Sequence, residues 1–367
     1  MAQRVVILGA GIVGAAIAYE LSLLEQCEIT VLDIAQPATG STGAALGVLM
    51  GIISRKTKGR AWTLRRRSME RFPALLQELA TAGQPVSHNP HGILKLVREP
   101  EELKKGDRLR EIRQASGWDL AVWDQDAIQQ HCPYLRAQEA AGGLFSPQDF
   151  QVQPVPLTRA LLTVAQQKGV CCHFEIEKPT LIFGDHHCQG VRAGGRTYPC
   201  DWLIVSAGLG SLEIINPLTE TISLGAVLGQ AFHLKVPQNL EPEAAFQPVI
   251  SFEDVHVVPL GQGEYWVGAT VEFPHENGAI DPDQTLAEVV RQKAIAFYPV
   301  LEQAEIVRHW SGKRPRPNGQ GAPILKGLTG YDNIILATGH YRNGVLLAPA
   351  TALTVRDWLL APETISF

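Results

Sequence analysis

The sequence predicts an α/β protein in which a doubly wound domain is interleaved with a mixed antiparallel-sheet α+β domain. Three observations carry this prediction. The chain opens with an apolar strand, a glycine-rich turn, a helix and a second apolar strand. Two later apolar runs, Trp202–Val205 and Ile334–Ala337, each end in small residues. Between them, Val249 to Glu272 alternates like antiparallel sheet around a turn at Gly261-Gln262-Gly263. The length of 367 residues suits about two domains of roughly 150 residues each.

Val5-Val6-Ile7-Leu8 is a continuous aliphatic run, the pattern of a strand buried on both faces. Gly11 to Glu25 reads as a helix, with Ile12, Ala16, Tyr19 and Leu23 near helical spacing. Ile29–Leu32 completes a βαβ unit whose crossover should be right-handed. The apolar span Val5 to Leu24 resembles a leader or membrane segment, but only Arg4 precedes it and three glycines break it. It is read as buried structure.

Arg60 to Ala82 has helical composition, with Leu64, Phe72, Leu75 and Leu79 on its apolar side. Arg65-Arg66-Arg67 within it reads as a solvated or ion-paired face, with an anion site as the alternative. Ile93 to Val97 is a strand, and Glu99 to Ala115 a charged surface helix interrupted at Gly106. Asp124 should cap a short helix ending before Pro133. Leu157 to Gln167 is a helix closed by Gly169, and strands follow near Val170–Phe174 and Thr180–Phe183. Thr285 to Tyr298 is a helix stopped by Pro299, and a last helix runs from about Leu347 to Leu360.

Composition narrows the functional classes. Charged residues are 19% and the net charge is −5, which argues against a protein whose affinity rests on neutralising phosphates. No nucleic acid or membrane partner is expected. The six cysteines include no C-x-x-C pair, so they read as small core residues in a reducing, cytoplasmic compartment. No metal is expected.

Gly9-Ala10-Gly11-Ile12-Val13-Gly14 carries the first chemistry. Gly9 permits the tight turn, Gly11 lets a pyrophosphate approach the backbone, and Gly14 lets the helix pack on the strand. The helix N-terminus offers N–H groups and a positive dipole end to phosphates. Asp33 closes the second strand, where an acidic side chain accepts hydrogen bonds from ribose hydroxyls. Dinucleotide binding on a Rossmann-like domain follows.

The motif alone does not choose between NAD and FAD. The loop Ser41-Thr42-Gly43-Ala44-Ala45-Leu46-Gly47 is small and suited to close approach by a large cofactor. Ser206-Ala207-Gly208 and Ala337-Thr338-Gly339 repeat the feature at two later strand ends. Several such approaches favour the long FAD molecule. In the final loop, from His340 through Tyr341, Arg342, Asn343 and Gly344 to Val345 and Leu346, the next helix begins. Its N-terminus can hold negative charge developing on a reduced flavin. Arg342 is a fixed cation there, able to pair with a carboxylate through two parallel hydrogen bonds.

These motifs, with Trp310-Ser311-Gly312-Lys313-Arg314-Pro315 and Val267-Gly268-Ala269-Thr270, resemble the FAD-dependent glycine oxidase group. That group belongs to the D-amino-acid oxidase and sarcosine oxidase superfamily. The resemblance spans nearly the whole chain. It implies that Ile12 and Val13 meet the pyrophosphate, and that Asp33 with Ile34 holds the ribose. It further implies that Ser41, Thr42, Leu46, Gly47 and Val48 form the flavin loop, joined by Ala207 and Gly208. Thr180 matches the position whose backbone meets adenine. His340 to Leu346 matches the final flavin loop, and Arg342 with Arg314 the arginines of the substrate carboxylate. Where such oxidases carry a tyrosine, this chain has His256 before Val257-Val258-Pro259. That histidine would bond the carboxylate with a pH-dependent charge, or else be a satisfied buried histidine. The loop after Arg314 lacks the family's acidic residue.

The resemblance thus implies non-covalent FAD and oxidative deamination of glycine or another small primary or secondary amino acid. The product would be an oxo acid, with oxygen reduced to hydrogen peroxide, and the imine a supply for the thiazole of thiamine. A D-amino-acid dehydrogenase passing electrons to a quinone or carrier is the first alternative. A flavin-dependent RNA-modification oxidase domain is the second, and a non-enzymatic FAD-binding regulator the third. Residues 1–48, 148–220 and 318–367 would form the FAD-binding domain, and 49–147 with 221–317 the substrate domain. A homo-oligomer is compatible with the sequence.

Overall fold

The computed structural model describes residues 2–218, 222–242, 244–275 and 278–365. The expected domain boundary at 220/221 lies outside the described residues. Two large sheets organise the molecule. The first has six strands in the order Ile324–Gly327, Ile334–Thr338, Trp202–Val205, Gln3–Leu8, Cys27–Leu32 and Cys171–His173. All neighbours are parallel except the hairpin between the first two. The inner strands are aliphatic because both faces are covered, one by helices and the other largely by a small sheet of Thr180–Gly184, His187–Ala193 and Arg196–Pro199. Ile12–Leu21, Pro154–Gln167 and Gly344–Leu360 bury their apolar sides in the same core as Val5, Ile7 and Ile204.

The second sheet has eight strands. They run Glu305–Pro317, Leu224–Lys235, Glu264–Gly268, Val255–Gly261, Val249–Phe252, Ile93–Val97, Gly142–Ser146 and Ala121–Trp123. Only Val249–Phe252 beside Ile93–Val97 is a parallel pair. The first two strands form one long antiparallel ladder from Leu224↔Pro317 to Lys235↔Glu305. A small sheet of Val48–Leu49, Phe150–Val152 and His88–Asn89 lies where the chain passes between the large ones.

Several elements differ from the sequence expectation. The helix Pro100–Gln114 runs unbroken through Gly106, where a Cβ would meet Leu144 Cδ2 at 2.4 Å. That glycine serves packing, not interruption. The last helix begins at Gly344, with Pro349 inside it. A second turn at Glu253-Asp254 splits the Val249–Glu272 stretch into three strands. The long ladder itself was not expected from the pattern. Arg65-Arg66-Arg67 is an ion-paired face: Arg67 pairs with Asp357, Arg66 approaches Glu70 at 3.8 Å, and Arg65 donates to Ala61 O at 2.8 Å.

All six cysteines are free, with Cys132, Cys188 and Cys200 buried. Among the described residues no helix is long and apolar enough to cross a membrane, and no cluster of metal-ligating side chains occurs.

Candidate active site

A cavity of about 980 Å³ runs between the two large sheets. The glycine turn forms part of its wall. Gly9 has φ +110°, and a Cβ there would lie 2.7 Å from Ser206 O. A Cβ on Gly14 would stand 1.9 Å from Gly9 O, so this glycine keeps helix and strand in contact. Gly11 is different: its nearest neighbour would be Thr42 Oγ1 at 3.3 Å, and it faces the cavity. Asp33 ties the turn to the end of the second strand. Its Oδ2 accepts from Ala10 N–H at 2.6 Å and its Oδ1 from Ala35 N–H at 2.9 Å. Ser206 Oγ donates to Leu8 O at 3.1 Å, fixing the Ser206-Ala207-Gly208 exit beside the turn.

The loop 41–48 is held by both sheets. Thr42 Oγ1 accepts from Ile12 N–H at 3.1 Å, so the loop docks on the first helix. Ser41 Oγ donates to Lys313 O at 2.6 Å, and Trp310 Nε1 donates to Ala44 O at 3.1 Å. Gln151 Nε2 donates to Leu46 O at 3.0 Å. The backbone of Gly47, at φ +73°, passes so close to Val152 O that a Cβ would be 1.8 Å away.

Arg314 reaches the cavity from the long ladder. Its guanidinium lies over Gly229, where a Cβ would clash with Nη2 at 2.1 Å. Nη1 donates to Leu228 O at 3.2 Å and to Thr270 O at 3.1 Å. Burial lowers its pKa, and the neighbouring Arg342 charge adds to the effect. Arg342 comes from the turn before Gly344–Leu360. Its Nη2 donates to Asp254 Oδ1 at 3.1 Å, bridging the last loop to the eight-stranded sheet.

His256 shares this wall. Its Nδ1 is buried without a protein partner, so it is not a satisfied core histidine. Burial first, then Arg342, pull its pKa down to about 4. The ring is therefore neutral at pH 7 and gains charge only well below it. His340 is turned into the core: its Nε2 lies 3.0 Å from Thr351 Oγ1. Burial holds its pKa at about 3.

The cavity brings together Gly9, Gly11, Ile12, Val13, Asp33, Ile34, the loop positions Ser41, Thr42, Leu46, Gly47 and Val48, and Ala207 with Gly208. His340, Tyr341, Arg342, Gly344, Val345 and Leu346 complete that wall. Three expected residues stand off it. Gly14 serves packing, and Asn343 precedes the final helix. Thr180 starts a strand and pairs with Arg192, whereas Ile176, Lys178 and Pro179 just before it line the cavity. Asp254, Gly229 and Ala231 were not expected on the wall. Asp254 lay inside a stretch expected as alternating sheet, and the glycine and alanine carried no motif.

Residues 4–358 match the family described as DAO, FAD dependent oxidoreductase. The chain belongs to this family. It is 32% identical over 368 residues to the bifunctional protein ThiO/ThiG of Trichormus variabilis, covering 99% of this chain and 54% of that protein. It therefore spans about half the length of the first curated relatives it matches. It is 27% identical to the glycine oxidase of Geobacillus kaustophilus, across 98% of this chain and 93% of that one. The crystal structure of glycine oxidase from Geobacillus kaustophilus matches with TM-score 0.84 at 25% identity, covering 99% of both chains. L-proline dehydrogenase from P. horikoshii shares the fold, with TM-score 0.86 at 19% identity over 98% and 93% of the two chains.

The wall of this FAD-dependent oxidoreductase fits its cofactor. Gly11 leaves open backbone beside the N-terminus of Ile12–Leu21, suited to a pyrophosphate. The start of Gly344–Leu360 places a second positive dipole end on the same wall.

Proposed function

We propose that this flavoenzyme oxidises glycine or another small primary or secondary amino acid to an oxo acid, using oxygen and releasing hydrogen peroxide. The observation that carries the reading is the pair of guanidiniums, Arg314 and Arg342, on one cavity wall with a neutral histidine. The relatives named glycine oxidase support it. In this reading the six-stranded sheet and its segments 1–48, 148–220 and 318–367 hold FAD. The segments 49–147 and 221–317 shape the substrate pocket. Six free cysteines are in keeping with a cytoplasmic setting.

FAD, when bound, supplies a two-electron acceptor for hydride from the carbon beside the amine. The chain's residues orient that carbon. Arg342 and Arg314 hold the carboxylate, and such positioning is worth several kcal/mol, at least a few hundredfold in rate. The N-terminus of Gly344–Leu360 stabilises negative charge at the cofactor end. A substrate amine that arrives deprotonated needs no protein base. His256 offers a hydrogen bond without charge. The imine hydrolyses in water to the oxo acid and ammonia or amine. Supply of that imine for the thiazole of thiamine belongs to the same proposal, supported by the relatives named ThiO/ThiG.

The test is anaerobic mixing of the flavin-loaded protein with glycine, sarcosine, N-ethylglycine, D-alanine and D-proline. At least one should bleach the flavin, and admitted oxygen should restore the colour with peroxide formed. Bleaching that oxygen reverses only slowly would favour a dehydrogenase. No bleaching by any amino acid would end the reading.

A further inference from the structure

We infer that Asp254 sets the charge class of the substrate: the site takes an amino acid with one carboxylate and disfavours one with a second. The inference rests on the proposed amino-acid oxidation and narrows its substrate. Asp254 occupies the turn between Val249–Phe252 and Val255–Gly261, at φ +64°. Its carboxylate lies on the cavity wall and accepts from Arg342 Nη2 at 3.1 Å. Partial burial works against its ionised form, but the Arg342 charge and hydrogen bond prevail and hold its pKa below the usual carboxylate range. Asp254 is therefore a resident anion.

This changes what the two arginines offer. Arg342 already has a carboxylate partner. Arg314 is hydrogen-bonded to the backbone carbonyls of Leu228 and Thr270, and among the described residues no carboxylate lies within ion-pair distance of it. Arg314, Arg342 and Asp254 all act on the neutral His256 and form the charged group at that end of the cavity, which Lys178, Arg308, Lys313, Asp33 and Glu213 also line. A single substrate carboxylate is answered by the two guanidiniums. A second beside it would meet the Asp254 anion. Lys95 also attracts Asp254, but it stands off the cavity wall among Arg55 and Glu102. Asp254 is three-quarters exposed, so water screens the repulsion, and the discrimination should be roughly tenfold rather than the hundreds a dry site would give.

The experiment titrates the flavin-loaded protein with acetate and with malonate by calorimetry. The wild type should bind acetate at least as tightly as malonate. Asp254→Asn should raise the malonate-to-acetate affinity ratio roughly tenfold. Asparagine suits the left-handed turn, so the backbone should be kept. Asp254→Gly, which also suits it, should give the same change. An unchanged ratio in both variants, a wild type that prefers malonate, or binding of neither anion would overturn the inference. Oxidation is judged separately by flavin bleaching. A shifted ratio with no bleaching by amino acids defeats the oxidase reading alone. Bleaching with an unshifted ratio defeats the role of Asp254 alone.

Discussion

The glycine turn offers a test in which two similar substitutions should fail in different ways. At Gly14 an added methyl would sit 1.9 Å from Gly9 O and 2.7 Å from Ser206 Oγ. The first neighbour is backbone, so no rotamer change relieves it; helix and strand must separate by more than 1 Å to reach ordinary contact. Overpacking of this kind costs about 1–3 kcal/mol or more, and the Ile12–Leu21 helix has no exposed side to yield. Gly14→Ala should lower the melting temperature of the apoprotein by several degrees. At Gly11 the same methyl would meet only Thr42 Oγ1 at 3.3 Å, which a small side-chain shift accommodates. Gly11→Ala should leave apoprotein stability within about 1 kcal/mol, yet place the methyl where the pyrophosphate must approach. Its FAD dissociation constant should rise at least tenfold. Apoprotein melting curves and flavin fluorescence titrations measure the two quantities. If Gly11→Ala bound FAD like wild type, or if it destabilised the apoprotein as much as Gly14→Ala, the division of roles would be wrong.

Four further outcomes are expected. Arg342→Ala should lower kcat/KM for an amino acid by roughly two orders of magnitude, taking a charged pair as about 3 kcal/mol, and should affect an amine lacking the carboxylate much less; equal losses would assign Arg342 to the flavin or the fold. Asp33→Ala should weaken FAD binding by about 1.5–3 kcal/mol, since a charged acceptor is lost and its clamp on Ala10 N–H goes with it; unchanged retention of flavin on dialysis would count against this. Acid precipitation should release the yellow colour to the supernatant, because Ala44 and Ala45 in the flavin loop offer no attachment; a coloured pellet would contradict non-covalent binding. His256 and His340 titrate near 4 and 3 in the folded chain and near 6.5 when unfolded. Stability should therefore fall as pH drops from about 6.5 toward 4, by up to roughly 1.4 kcal/mol per pH unit for each histidine, and His256→Gln should lose less than wild type between pH 7 and 5 in denaturant titrations.

What could be read from the sequence follows from where burial imposes a pattern. Val5–Leu8, Trp202–Val205 and Ile334–Ala337 are buried on both faces, so their aliphatic runs are unambiguous. Each leads to a cavity-lining turn, so most of the cavity wall was visible too. The ladder of Leu224–Lys235 and Glu305–Pro317 was not. The first strand is mostly buried and holds two glycines, which hides any alternation; the second is an edge strand with two prolines and largely exposed residues. Gly344 illustrates a boundary error of three residues, which matters when the boundary is also the site. Asp254 was missed because the Glu253-Asp254 turn was hidden in an alternating stretch, and its partner lies 88 positions away.

That hidden ladder ties the loop 41–48 to the cavity arginine Arg314. Its second strand supplies Arg314 to the cavity through register with Val227, directly beside Gly229. The same strand accepts Ser41 Oγ at Lys313 O and sends Trp310 Nε1 to Ala44 O. The loop 41–48 and Arg314 are thus mounted on neighbouring residues of one strand. Gly312 fits between them because a Cβ there would stand 2.2 Å from Ala44 Cβ. Any shift of this strand must move the loop and the guanidinium in concert. A substitution that touches only the loop can therefore reach Arg314 through this strand.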